Sequence, residues 1–315
     1  MVESRRVAVL GTGTVGASWV AYFLSRGLTV AAWDPAEGAA ERVRARIATA
    51  WPALERLGLG PKADPGAWRF HDDPADAVRA ADFVQENAPE RLWLKRELYG
   101  RIAPALPRQT ILASSSSGIM PSDLQEGQPF AARMLVGHPF NPPHLIPLVE
   151  VVAGGETAPE TVETAVAFYR QIGKRPIRIG REVPGHLVNR LQAALWREAV
   201  DAVARGVASV ADVDAAIAHG PGLRWALMGP HLTFALAGGS GGMPHFMEHL
   251  APAVTMWWAD LRAPELSEGL KAEIVAGIEA ETGGRTPDAL AAKRDEGLVA
   301  LLELLARWRD GPERP

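Results

Sequence analysis

His138 and Glu150 stand twelve residues apart in GHPFNPPHLIPLVEVV, residues 137–152. The histidine is set before a proline at the end of an apolar run, where the rigid backbone limits the freedom of its ring. Imidazole is the side chain best suited to moving a proton near neutrality. Glu150 interrupts an apolar strand between Leu148, Val149, Val151 and Val152, where a lone carboxylate is costly unless it is paired. Brought together, the two form a dyad in which the acid fixes the tautomer of the base and raises its basicity. An edge-strand glutamate facing water fits the same spacing, so both readings stand at this point. Two further polar groups are candidates. The run SSSSG, residues 114–118, follows an apolar strand, where hydroxyls face a ligand cleft or simply form a solvated turn. Asn189, in PGHLVNRL, lies near the start of a helix; its amide either polarises a substrate carbonyl or serves as a surface or capping group.

These residues need a scaffold, and the first half of the chain describes one. Val7–Leu10 reads as a short strand, GTGTVG follows, a helical pattern runs through Trp19, Phe23 and Leu24, and a second strand ends on Asp34. Gly11, Gly13 and Gly16 thus occupy the first turn of a strand–helix–strand unit, with an acid placed to meet an adenosine ribose. Backbone amides near Thr14 and Val15 point at the phosphates. Pro35 and Ala36 follow Asp34 with no arginine to receive a 2′-phosphate, which favours NAD over NADP as cofactor. Later strands at ADFVQENAP, TILASSSSG, RMLVGHPFN, PLVEVV and RPIRIG make this half a doubly wound α/β sheet. From Leu187 onward the pattern is helical, with Leu187, Leu191, Ala194 and Leu195 on one face. The expected architecture is a Rossmann-type α/β domain over residues 1–183, then an all-α domain over 184–315.

Composition narrows the function. With 315 residues, 47% of them hydrophobic, and a formal net charge of −4, the chain reads as a soluble globular protein. Its basic residues are scattered among acidic ones, so neither nucleic acid nor an anionic membrane is an expected partner. The absence of cysteine excludes disulfides and thiolate chemistry. With no signal core or membrane span legible, a cytoplasmic location is expected.

Taken in order, VLGTGTVG, SSSSG, GHPFNPP, PLVEVV and PGHLVNRL resemble the L-3-hydroxyacyl-CoA dehydrogenase family over nearly the whole chain. The resemblance implies NAD-dependent oxidation of an L-3-hydroxy group. His138 would then be the base, Glu150 its partner, and Ser117 and Asn189 the groups that hold the reacting oxygen. ENAPERLWLK is similar to the family segment beside the cofactor, which puts Glu90 and Lys95 near the nicotinamide ribose. Ser115 departs from the family, whose acyl-CoA enzymes carry asparagine there. A non-catalytic crystallin-like or NAD-sensing relative would need the glycine loop but have no use for Ser117, His138, Glu150 and Asn189. A homodimer through the helical half is expected from the family.

The second half is similar to a branch of that family acting on small free acids, in GPGLRWALMGPHLTFALAGGSGGMPHF and MWWADL. L-Carnitine is the first substrate expected, with L-gulonate and short-chain L-3-hydroxyacyl-CoA as alternatives. Only Arg56 and Lys62 stand in ATAWPALERLGLGPKADPGAW, where a coenzyme A site would need several cations. Trp225, Phe246, Trp257 and Trp258 offer aromatic faces to a quaternary ammonium, or belong to a core or dimer interface. Arg224 matches a substrate carboxylate bidentately, or forms a surface salt bridge. His245 and His249 stand four apart but lack a third ligand, so no metal is expected.

Overall fold

The computed structural model describes residues 6–309. The chain begins β1 (Arg6–Leu10), α1 (Thr14–Ser25), β2 (Thr29–Trp33) and α2 (Ala39–Arg56). It continues β3 (Trp68–Phe70), α3 (Pro74–Val78), β4 (Phe83–Glu86), α4 (Leu92–Ile102), β5 (Ile111–Ser114) and α5 (Pro121–Gln125). Then come β6 (Met134–Pro139), β7 (Leu148–Val152), α6 (Pro159–Gln171) and β8 (Arg175–Ile179). These eight strands form one sheet in the order β3-β2-β1-β4-β5-β6-β7-β8. All neighbours are parallel except β6 and β7, which run antiparallel.

The sequence of β1 explains its place at the centre. A strand covered on both faces must be apolar throughout, and Val7 to Leu10 are all buried. Val7 and Val9 enter a core with Trp19, Phe23, Phe83, Phe168 and Tyr169. Ala8 and Leu10 enter a second core with Val78, Leu98, Tyr99, Ile102 and Phe130 on the opposite face. Phe83 stacks on Phe168 at 4.0 Å, and Trp19 on Phe23 at 4.9 Å. These contacts seat α1 and α6 on the sheet, so the strand ends that carry the site are held by a rigid layer.

The remaining helices are α7 (Val188–Ala204), α8 (Val210–His219), α9 (Pro221–Trp225), α10 (Pro230–Ala237), α11 (Gly242–His249), α12 (Ala251–Asp260), α13 (Glu268–Thr282) and α14 (Pro287–Arg309). Two compact units result, one comprising residues up to Asn189 together with Asp295–Ala306, the other containing Arg190–Arg294. The first unit thus runs a few residues past the expected limit at Val183, because the turn leading into α7 packs against the sheet. It also recruits part of α14, where Glu303 forms a bidentate pair with Arg56 at 3.0 and 3.1 Å. The second unit has a small core of Val200, Val203 and Leu270, with Val210, Val213 and Ile274 packed around it. Many of its apolar side chains are exposed, among them Leu232, Leu236 and Met256. Among the described residues no helix is long and apolar enough to cross a membrane.

Candidate active site

The antiparallel register of β6 and β7 sets His138 directly opposite Glu150. Opposed residues share a face of the sheet, and His138 Nδ1 lies 2.8 Å from Glu150 Oε2. Both side chains are buried, and β8 covers the other side of β7, so Glu150 is no edge-strand residue open to water. Its second oxygen accepts the backbone N–H groups of Leu187 and Val188, each at 2.9 Å. Burial alone would raise this carboxyl; the hydrogen bond from His138 and the two amides outweigh it and hold Glu150 below the usual carboxylate range. A carboxylate only accepts, so His138 Nδ1 donates, and in the neutral ring Nε2 is then the nitrogen with the lone pair. The arrangement can therefore take a proton at Nε2 and stabilise the imidazolium that results.

The serine run forms a loop beyond β5, held from beneath. Glu90 Oε1 accepts the Ser116 hydroxyl at 2.6 Å, the Ser117 and Gly118 amides at 2.9 Å and the Ile119 amide at 3.3 Å. Against the upward push of burial, the Ser116 hydroxyl, the Gly118 and Ile119 amides and nearby Lys95 hold the Glu90 carboxyl below its ordinary value. Lys95, expected beside the ribose, is sealed inside: its ammonium takes Glu86 at 2.7 Å and the Ala88 carbonyl at 2.9 Å. Glu86 also accepts from Tyr99, Ser114 and the Ala88 amide. Buried charge here is matched by hydrogen bonds at nearly every lone pair. Ser115 has a defined role as well, accepting from Gln85 at 2.8 Å and donating to Asn87 at 2.7 Å.

Asn189, the second residue of α7, donates through Nδ2 to the Ser117 carbonyl at 3.0 Å. Ser117, His138, Glu150 and Asn189 thus meet in the first unit through one connected set of bonds. Sequence reasoning missed His186, which is buried beside them with its ring centroid 5.5 Å from that of His138. Nothing in PGH marked it, because a histidine in a turn carries no periodicity.

At the opposite flank of the sheet's crossover point, the glycine loop shows separate demands at each position. Gly11 has φ +82°, and a Cβ there would lie 2.7 Å from the Asn87 backbone. A Cβ on Gly16 would lie 1.9 Å from the Gly11 carbonyl oxygen. Gly13, at the start of α1, instead has nothing within 4 Å of such an atom. Open space above the first turn, with the amides of Thr14 and Val15 beyond it, is what a pyrophosphate needs. The Thr12 hydroxyl is buried without a partner among the described residues. Asp34 closes the loop by accepting the Thr12 amide at 2.6 Å and the Ala36 amide at 2.9 Å. The residues present fit a dinucleotide.

Within the second unit, Arg224 and Trp225 end α9, both exposed. Phe246 is buried against Phe234, ring centroids 4.9 Å apart, while Trp257 and Trp258 on α12 are 63% and 66% exposed. His245 and His249 stack on one another at 4.2 Å; among the described residues no three ligand-type side chains gather around a metal position.

A dinucleotide-binding α/β sheet with a buried histidine–glutamate pair across two neighbouring strands defines a dehydrogenase, and NAD is its cofactor. The chain belongs to the 3-hydroxyacyl-CoA dehydrogenase family: residues 6–183 match its NAD binding domain and residues 185–269 its C-terminal domain. It is an NAD-dependent oxidoreductase acting on a hydroxyl group. The L-carnitine dehydrogenase of Streptomyces griseus is 52% identical to it, covering 97% of this chain and 91% of that relative. The L-carnitine dehydrogenase of Pseudomonas putida is 46% identical, covering 96% and 94%. Among solved structures, an NAD-dependent dismutase, FHMPC 5-dehydrogenase, superposes with a TM-score of 0.84 at 34% identity, covering 99% of this chain and all of that one.

Proposed function

We propose that this protein oxidises the 3-hydroxy group of a small free L-3-hydroxy acid with NAD, and that the acid is L-carnitine, the product being 3-dehydrocarnitine. The observation that carries the reaction is the buried His138–Glu150 pair with Nε2 left free. The near full-length likeness to L-carnitine dehydrogenases carries the choice of substrate. In this reading His138 Nε2 takes the hydroxyl proton while Glu150 steadies the charge that forms on the ring. NAD, when bound over the glycine loop, accepts the hydride. Ser117 and the second N–H of Asn189 hold the substrate oxygen, and Glu90 keeps the Ser117 loop in place. Gly11, Gly13, Thr14, Val15, Gly16 and Asp34 hold the dinucleotide.

In this reading the first 183 residues hold the cofactor together with His138, Glu150 and Ser117, and the helical half, residues 184–315, supplies further substrate contacts and the dimer contacts. Trp257 and Trp258, with Trp225 and Phe246, give aromatic faces to the trimethylammonium, and Arg224 pairs with the carboxylate. A free acid is favoured over a coenzyme A thioester because Arg56 is already engaged by Glu303. The exposed Leu232, Leu236, Met247 and Met256 support a homodimer. The location is cytoplasmic in the same reading.

The test is NADH formation with L-carnitine, D-carnitine, L-gulonate, L-3-hydroxybutyrate and L-3-hydroxybutyryl-CoA in parallel. Preference for L-carnitine is expected. Turnover of the thioester with none of the free acids overturns the substrate assignment.

A further inference from the structure

The turn between β8 and α7 carries one residue that the reaction above leaves unused. His186 is fully buried, and its φ of 50° lies in the left-handed region, which a side chain with a Cβ adopts only under constraint. Its Nε2 lies 3.0 Å from the carbonyl oxygen of Ser116. Because a carbonyl only accepts, Nε2 carries the hydrogen, and in the neutral ring Nδ1 is a bare acceptor. That Nδ1 is buried with no partner among the described residues.

Both features are costs at a single position. Glycine would relieve the backbone conformation, and leucine or phenylalanine would remove the unpaired nitrogen. Neither offers an N–H to Ser116. The bond matters for what surrounds it: Ser117 follows Ser116, the amides of Leu187 and Val188 grip Glu150, and Asn189 holds the Ser117 carbonyl. Residues 186–189 therefore touch the serine loop beyond β5 and the carboxylate in β7 at once.

We propose that His186 is a positioning residue for the oxidation: through Nε2–H it ties the serine loop to the turn that grips Glu150, fixing Ser117, Asn189 and His138 in one geometry. The inference rests on the assignment of those residues as the reacting set. The ring must stay neutral to leave His138 as the imidazole that charges. Burial lowers the His186 pKa and His138 adds to that; the Ser116 carbonyl, Glu150 and Glu90 oppose it without reversing it.

The experiment compares His186→Leu and His186→Gln in the full-length protein by steady-state kinetics, NADH binding and thermal unfolding. Glutamine can present its side-chain N–H near the place of Nε2. For the leucine variant kcat is expected to fall about 10- to 100-fold with NADH affinity kept, as a small misplacement of reacting groups demands. The glutamine variant is expected to recover to within about threefold of the parent, since it restores the donor. A ¹⁵N spectrum of the parent should show a neutral imidazole protonated at Nε2. Wild-type kcat in the leucine variant, equal losses in two equally stable variants, or protonation at Nδ1 would each overturn the proposal. Should leucine prevent folding, the glutamine kinetics and the spectrum decide it. Full turnover in His138→Gln would instead overturn the reaction assignment, whatever His186 does.

Discussion

The side-chain amide of Asn189 donates to the backbone carbonyl of Ser117 at 3.0 Å, across 72 residues of chain. The bond consumes one N–H of the amide and leaves the other for a ligand. It also draws the start of α7 onto the loop after β5, so the groups proposed to hold the substrate oxygen move as one.

Replacing Asn189 with Asp removes both N–H donors and sets a carboxylate against the Ser117 carbonyl. We expect kcat to fall about 100-fold, the usual loss when one donor to a reacting oxygen is removed. NADH affinity, measured by fluorescence, should be unchanged. A wild-type kcat would mean that Asn189 does not hold the reacting oxygen.

Glu150→Gln keeps the shape of the dyad but replaces an acceptor-only group with one that can donate. Nothing then compels His138 to hold its hydrogen on Nδ1, and the charged imidazole loses its counter-ion. Loss of turnover on the order of 10⁴-fold is expected, as for a triad acid changed to its amide. Steady-state rates with saturating NAD check it, with near-ultraviolet circular dichroism to confirm the fold.

The glycine loop, the dyad and the alternating half were legible because each has a signature of type and spacing. A carboxylate inside LVEVV announces burial with a partner, and the twelve-residue gap to His138 is what a strand, loop and returning strand require. Ser115 and Lys95 were harder. The partners of Ser115, Gln85 and Asn87, lie in and just after β4, which neighbours β5 only through strand order, while Lys95 reaches Glu86 because α4 folds back onto the strand before it. β3 is three residues, too short to show alternation. His186 left no trace because its role comes from a backbone conformation that residue type does not reveal.

Gly16→Ala separates cofactor binding from the proton-moving groups. The added methyl would sit 1.9 Å from the Gly11 carbonyl oxygen, so α1 must shift away from the loop. Van der Waals overlap with backbone cannot be relieved by rotating a side chain. NADH affinity should drop at least about tenfold, the effect of about 1.4 kcal/mol, in direct binding measurements without substrate. Unchanged affinity would remove the loop from the cofactor site.

Acid should destabilise the first unit in two stages. His186 has its pKa lowered in the folded protein from an ordinary value of 6.5. Below that value the unfolded chain binds the proton more readily than the native one, so stability is lost as pH falls from about 6.5 toward the folded pKa. Glu90 and Glu150 are lowered from 4.5, so their contribution is full above that value and is lost as pH falls toward their folded pKa values. Denaturant unfolding at stepped pH should show both stages; His186→Gln should weaken the first and leave the part that belongs to His71, whose pKa is likewise lowered from 6.5, chiefly by burial.

The exposed indoles of α12 give the sharpest test of the substrate. If Trp257 and Trp258 face the trimethylammonium, each contributes through its ring face about 0.5–2 kcal/mol. Trp257→Ala or Trp258→Ala should then raise KM for L-carnitine by roughly 2- to 30-fold, the equivalent of that energy. L-3-Hydroxybutyrate, which has the hydroxyl and carboxylate but no cation, should be turned over by the variants with an unchanged KM. A parallel loss for both substrates, accompanied by a lower mass in light scattering, would place the two rings in the contact between subunits.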